Sequence, residues 1–368
     1  MRFRFFAFLL FASASFAQQP ATADHGTAHT HDGGFMQGGM HHTTATGVTL
    51  NATSDANSHT ITLRVGPMNL PANTSHMKMP QPPDLIWTIP VTGWLLAYHP
   101  KLVDAAGNSV PGAVLHHVAF WNENRPDFLC PNKEEHIFGA GGELTDWAQI
   151  PGFGYRVEKG DQIRIETMIH NPTATTYQEV YLEVSIPYAP SDDAASIDNS
   201  SSTSSASALK NFYPAWMDVA ACGSSSYDLP PGPSKKVGSV RVNYPGILLG
   251  VGGHMHDYGQ QLTLENSAAN ASNTKKTVAT LPAKTDEQGH LLAIPVITFF
   301  QTGGYSFTAG DNLTITAAYN NPTGNLLRNG AMGIVVGYFV PQDPAALNNL
   351  RHPAHASSPD MLHMSHDH

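Results

Sequence analysis

Only two cysteines occur in 368 residues, Cys130 and Cys222. That leaves room for one disulfide and excludes both a cysteine framework and a thiolate zinc site. Charge is sparse as well: Asp, Glu, Lys and Arg make up 13% of the chain, the formal net charge is -10, and Lys and Arg form no dense cluster. A chain of that balance lacks the electrostatic footprint of a nucleic-acid or anionic-membrane partner. Beyond the N-terminus no apolar run approaches the ~20 residues that would cross a bilayer. Nothing long has helical periodicity either. What the chain has in excess is histidine, 20 copies against 19 Lys plus Arg.

The first residues, 1–17, read as a cleavable secretory signal. Arg2 and Arg4 form the basic start, Phe5 to Ala12 the apolar run, and Ser15-Phe16-Ala17 the small-residue cleavage site. The expectation is a soluble protein that is secreted or periplasmic. Ten of the histidines then sit in two tails. One tail, residues 18–47, carries His25, His29, His31, His41 and His42 with Met36 and Met40. The other, residues 344–368, carries His352, His355, His363, His366 and His368 with Met361 and Met364. Both are poor in aliphatic residues and are expected to be disordered. Imidazole with thioether is a donor set suited to copper, so weak metal capture stands beside the plainer reading of solvated tails with incidental histidines.

Between the tails the sequence reads as all-β. Stretches such as "QIRIETMI", "VYLEVSI", "NLTITAAY" and "GIVVGYFV" alternate with Gly, Pro and Asn turns. A Ser-rich linker, 191–208, separates a half at 48–190 from a half at 209–343. The halves are related: "GYRVEKGDQIRIETMIHNPT" (Gly154 to Thr173) aligns without a gap to "GYSFTAGDNLTITAAYNNPT" (Gly304 to Thr323). Upstream of each block an apolar stretch carries a histidine pair, "GAVLHHVAFWN" and "GILLGVGGHMHDYG". An internal duplication of a β-sandwich, each copy with its own metal-sized constellation, accounts for this pattern.

The first pair, His116 and His117, is adjacent, so on a regular strand the two rings point to opposite faces. Binding one ion requires a twist or bulge there; otherwise one ring is buried and the other exposed. A third donor is offered by "ETMIHNPT", where Met168 and His170 are two apart. In the second half His254 and His256 share a face at strand spacing. Met332, in "RNGAMGIVVGYF", is the candidate third donor, although a methionine in an apolar strand is ordinarily core. Two imidazoles plus a thioether suit copper cycling between its oxidation states better than zinc or calcium.

With these residues in view, the core from about residue 70 to 343 resembles the copper type II ascorbate-dependent monooxygenases, the family of peptidylglycine α-hydroxylating monooxygenase and dopamine β-monooxygenase. "LHHVAFWN" resembles the family's His-His strand, "HMH" its His-Thr-His, "AMGIVVGYF" its Glu-Met-Cys strand, and "IHNPT" the Tyr-His-Asn-Pro run of the dopamine branch. The resemblance implies two jelly-roll-like domains facing each other across a solvent-filled cleft, each holding one copper. It assigns His116 and His117 to an electron-transfer copper and His254, His256 and Met332 to an oxygen-binding copper. His170 completes the first site, with Met168 as the alternative, because Met168 occupies the family's third-histidine position. The implied reaction is hydroxylation of an aliphatic C–H bond with dioxygen, using two uncoupled mononuclear coppers and ascorbate or a similar reductant. A non-catalytic periplasmic copper-binding or storage protein on the same fold is the alternative.

Departures from the family pattern limit what carries over. The family's peptide-binding Arg and Tyr are Gly252 and Val336 here, so recognition of a peptide carboxylate is not implied, and the substrate stays open between a small molecule and a peptide-like one. The Cys that follows the ligand Met is Gly333, and either the cores stand without family disulfides or Cys130 and Cys222 staple the halves. Outside these motifs, His76 with Met77 and Met79 forms a soft patch in a Pro-rich loop. Trp121, Trp147 and Trp216 read as core or interdomain packing. Asp257 and Tyr258 read as supports for the second histidine pair or as turn residues.

Overall fold

The computed structural model describes residues 44–191, 209–269, 275–348 and 350. The signal-like start, most of the His/Met-rich segment 18–47, the linker beyond Ser191 and the tail beyond Leu350 lie outside the described residues.

Each half is a jelly-roll-like β-sandwich built on two principal sheets. In the first half a four-stranded antiparallel sheet runs in the order Leu85–Thr88, Gln162–Ile169, Leu115–Pro126, Glu134–Gly141. Its second sheet is centred on Thr60–Leu70 and Tyr177–Pro190. In the second half the matching four-stranded sheet runs Gly232–Arg241, Asn312–Asn321, Gly259–Ser267, Lys275–Pro282. The other sheet places Gly333–Pro341 between Tyr213–Asp218 and Gly246–Met255.

The duplication read from the sequence is repeated in the hydrogen bonds. Asn171 Oδ1 accepts from the Thr173 amide at 3.0 Å and its hydroxyl at 2.8 Å, while Asn171 Nδ2 donates to the Thr175 carbonyl. Asn321 does the same with Thr323 at 3.0 and 2.7 Å and with the Asn325 carbonyl. In both halves a buried Asn side chain closes the turn after the central strand, satisfying backbone groups that would otherwise be stranded.

The sheet holding Gly333–Pro341 and Gly246–Met255 is covered on both faces, so both strands are almost wholly buried. Val335 and Phe339 point into the second half's own core, while Met332, Ile334, Val336 and Tyr338 pack into the core of the first half. A strand with two dry faces has no polar alternation, and hence the unbroken run "GIVVGYFV". The halves meet in a packed apolar junction, and a cavity between them remains beside it. Close approach there depends on residues without side chains: a Cβ on Gly252 would lie 2.9 Å from the Trp147 ring. The family's substrate-binding Arg therefore has no room at this position.

Cys130 and Cys222 are bonded to each other, tying a loop of the first half to the second across 92 residues of chain. Asp127 fixes the approach to Cys130 by accepting from the Leu129 and Cys130 amides at 2.8 and 2.7 Å. Replacing both cysteines with serine is expected to lower stability by roughly 2–4 kcal/mol, because a long loop is released in the unfolded chain. A shifted urea midpoint measures this; an unchanged midpoint would show that the junction holds without the bond.

Candidate metal centre at the junction of the halves

The strand Leu115–Pro126 pairs regularly with its neighbour from His117 onward, but between Leu115 and His117 the register slips. His116 is the extra residue of a bulge, which re-aims its ring. The two adjacent imidazoles, which a regular strand would send to opposite faces, thus lie 5.1 Å apart between ring centroids. His170, just past the end of Gln162–Ile169, brings its ring 5.0 Å from that of His116, and its amide donates to the Val114 carbonyl at 3.1 Å. Met168 lies directly across from His117 and is buried.

His76 comes from the Pro-rich loop. Its ring stacks on His116 at 4.5 Å with 7° between planes. Gln81 holds the loop in place. Its amide nitrogen donates to the carbonyls of His76, Met79 and Ile169, each at 3.0 Å, and its oxygen accepts from the Ile169 amide at 2.8 Å. The loop is thereby tied to the strand end that carries His170.

From the second half, His256 reaches across the junction, its ring 4.5 Å from His116 and 6.5 Å from His117. Two triads result, His116–His117–His256 and His76–His116–His170, each with one ring nitrogen per residue lying within 4.8 Å of the others. His116 belongs to both. The expectation of two separate constellations, one per half, is therefore corrected: the histidines form one continuous cluster. The histidine pairs are not duplicates of one another either. His116 and His117 lie on the strand next to the Asn-Pro-Thr strand, whereas His254 and His256 belong to the opposite sheet of their half, and the counterpart of Leu115–Pro126 there is Gly259–Ser267.

His254 stands beside this cluster rather than in either triad, and Met332 adjoins it on the neighbouring stretch of chain. His254 Nδ1 lies 3.1 Å from Glu143 Oε1, and the Gly141 amide donates to the same oxygen at 2.9 Å. Burial on its own would raise the Glu143 carboxyl, but the His254 imidazole and these hydrogen bonds hold it below its usual range. Glu143 is thus an acceptor, which puts the His254 proton on Nδ1 and leaves Nε2 as a lone pair. Extending the register His254↔Ile334, Met255↔Gly333 sets Met332 opposite His256 on the same face. Met332 is 1% exposed, and its backbone is clamped by the Tyr319 hydroxyl, which accepts from the Met332 amide at 3.1 Å.

Burial holds the imidazoles neutral. Desolvation, reinforced by neighbouring imidazoles, pushes His117 down to about 3, and desolvation pushes His170 down to about 4. His116 and His256 are driven well below the ordinary value for the same reasons. Both ring nitrogens of His256 are buried without a hydrogen-bond partner, as is Nε2 of His254. A buried imidazole with two idle nitrogens is costly unless something else takes up a lone pair. A metal ion fits that requirement, and the donor set is imidazole with a thioether alongside, without thiolate or carboxylate in either triad.

A cavity of ≈ 440 Å³ opens on His76, His116, His170 and His256, walled further by Tyr258 and His290. Asp257, which accepts from the Leu291 amide at 2.9 Å, fixes one edge of it. Sequence reasoning did not single out Glu143, His136 or His290. His136 stacks on Trp216 at 3.5 Å and on Trp121 at 4.1 Å, so these two tryptophans pack the junction.

No protein-family model matches the chain, and no curated protein matches it. Among solved structures, the STIV MCP is 8% identical with a TM-score of 0.32, covering 80% of this chain and 95% of that one. PNGF-II is 10% identical with a TM-score of 0.33, and the similarity spans 89% of this chain and 64% of that chain. The CBM22-1-CBM22-2 tandem domain from Paenibacillus barcinonensis Xyn10C is 11% identical with a TM-score of 0.18, over 82% of this chain and 93% of that one. These likenesses are too distant to bear on the site.

Proposed function

We propose that the protein is an exported copper-dependent monooxygenase, hydroxylating an aliphatic C–H bond of a small or peptide-like substrate. Dioxygen and ascorbate or a similar one-electron donor are its co-reactants. The observation that carries this reading is His256, buried with both ring nitrogens idle and converging with His116 and His117. Copper bound by such donors supplies one-electron redox chemistry with dioxygen.

The residues that would hold copper are His116, His117 and His256, then His76 and His170, with His254 and Met332 adjoining. The chain's own contribution is to keep His116, His117, His170 and His256 neutral by burial and to fix the His254 tautomer through Glu143. The packed apolar junction buries His117, and the cavity onto which His116 and His256 open gives a substrate room beside them. That cavity favours an enzyme over a closed metal store. Export agrees with the signal-like start and with a disulfide in a chain that has no other cysteine.

The test is copper per chain and ascorbate-driven oxygen uptake, compared between the wild-type protein and His256→Ala. The comparison cancels copper held by the tails. The variant is expected to retain about one ion fewer and to lose oxygen uptake. Copper binding and oxygen uptake equal to wild type would overturn the assignment. A wild-type protein that binds copper tightly yet never consumes oxygen, across a panel of candidate substrates, would make it a store.

A further inference from the structure

We infer that a second cavity, bounded by Arg125, Glu135 and Arg156, is a binding site for a small organic acid whose carboxylate is taken by the Arg125 guanidinium. The inference does not rest on the copper reading, because the cavity shares no residue with the histidine cluster.

The cavity measures ≈ 290 Å³ and lies where the halves meet, with Arg125, Phe128 and Glu135 on one side and Tyr213, Leu347 and Leu350 on the other. Arg125 is 7% exposed, and its guanidinium carbon lies 5.2 Å from the centre of the Tyr155 ring. Burial works against its charge, but Tyr155, Glu135, Asp161 and Tyr213 around it more than offset that cost. A guanidinium carries five N–H donors in a planar fork, more than these neighbours take up. A cavity at the fork lets a ligand provide the acceptor, and a carboxylate matches the fork in a bidentate pair.

The neighbouring acid does not fill that role. Glu135 is 2% exposed and accepts a short hydrogen bond from the Tyr155 hydroxyl, which in turn accepts from Asn122 Nδ2 at 2.8 Å. Burial holds its carboxyl up to about 7 although Arg125 and Tyr155 pull it down, so it is only partly ionised near neutrality. Arg156 adds a second guanidinium, resting 4.7 Å over the Trp94 ring. Glu158 lines the cavity as well and Asp161 stands near Arg125, so an anion here is held by the fork of Arg125 rather than by an excess of positive charge. Phe128, Leu347 and Leu350 line the remainder with apolar surface. An anionic head opposite an apolar body describes a carboxylic acid rather than inorganic phosphate.

The test uses the full chain after treatment with a chelator, so that carboxylate binding to copper cannot contribute. Benzoate, benzamide and inorganic phosphate are titrated calorimetrically. Benzoate is expected to bind, with neutral benzamide and phosphate at least about tenfold weaker. Arg125→Gln should weaken benzoate about tenfold or more, whereas Glu135→Gln, which removes only the competing negative charge, should bind as well as wild type or better. Benzamide or phosphate binding as tightly as benzoate would overturn the inference, as would a folded Arg125→Gln with unchanged affinity. Should Arg125→Gln fail to fold, the wild-type contrast between benzoate and benzamide decides alone. Equal benzoate affinity before and after copper reconstitution separates this site from the histidine cluster.

Discussion

Stripped of metal, the protein is expected to lose stability steadily as the pH falls below 6.5. His117 and His170 titrate in the folded state at about 3 and about 4, against an ordinary 6.5, because burial penalises the imidazolium. The folded-state values lie below the unfolded one, so acid is taken up by the unfolded chain first. The stability these groups contribute is complete above pH 6.5 and is withdrawn as the pH drops. Each such histidine costs about 1.4 kcal/mol per pH unit while the pH lies between its two values. Down to pH 4, His117 and His170 together amount to on the order of several kcal/mol, a large part of what a folded protein usually has. His116, His136 and His256 are shifted the same way by burial, and Glu143, held low beside His254, adds to the loss at the acid end.

Four buried acids pull in the opposite direction, Asp257 among them, raised by burial. Burial raises Asp127 and Asp218 to about 6 and Glu135 to about 7. Their contribution is complete below the ordinary carboxylate range and fades as the pH rises through 6 to 7. Five lowered histidines, with Glu143, against four raised acids leaves the acid side the weaker one. Thermal unfolding in chelator between pH 4.5 and 7.5 measures the balance, and a midpoint flat across that range would refute it. Protons compete with metal for the same lone pairs, but in the folded protein only as the pH nears 4, so above that copper should leave only as the chain unfolds.

Much of this architecture is legible in the chain, and the reasons differ by element. The all-β fold follows from β-branched and aromatic runs punctuated by turn residues. The duplicated Asn-Pro-Thr turn is legible because one side chain, Asn171 or Asn321, performs the whole closure within a few residues. The bulge that His116 and His117 require is present. Other features depend on how separate pieces of chain dock. That His116 sits between two triads follows from which face of the second half packs on the first, and no local pattern encodes that choice. His76 is near the cluster because Gln81 ties its loop to Ile169, 88 residues away, and a lone Gln among prolines gives no signal. Glu143 escapes notice because its acidic side chain sits in a turn, where a solvated role is the ordinary one. The implied cleft narrows to one cavity because Met332, Ile334, Val336 and Tyr338 present an apolar face that packs against the first half.

Gly141→Ala is expected to break the packed junction at the histidine cluster. A Cβ at Gly141 would lie 2.5 Å from His254 Cε1, 2.9 Å from His254 Nδ1 and 2.7 Å from Glu143 Oε2. All three contacts fall short of any van der Waals separation, and none of the groups can yield. The His254 ring is wedged between the sheets, and Glu143 is pinned by the Gly141 amide. The added methyl must therefore either separate the halves or expel the ring. Expelling the ring leaves a buried carboxylate without its partner, while parting the sheets exposes the apolar face of Gly333–Pro341. Either route costs about 3 kcal/mol or more, from overpacking together with a lost charge-assisted hydrogen bond. The neighbouring Gly142→Ala is the control, since its Cβ would come no closer than 3.4 Å to the Gly112 carbonyl. The two variants add the same methyl one residue apart, so chain entropy and helix or strand propensity cancel between them. Unfolding midpoints and copper per chain should separate them: Gly142→Ala close to wild type, Gly141→Ala strongly destabilised and copper-poor. Indistinguishable variants would mean that His254 is free to move, and that the Glu143 pair does not hold the second half's histidines in place.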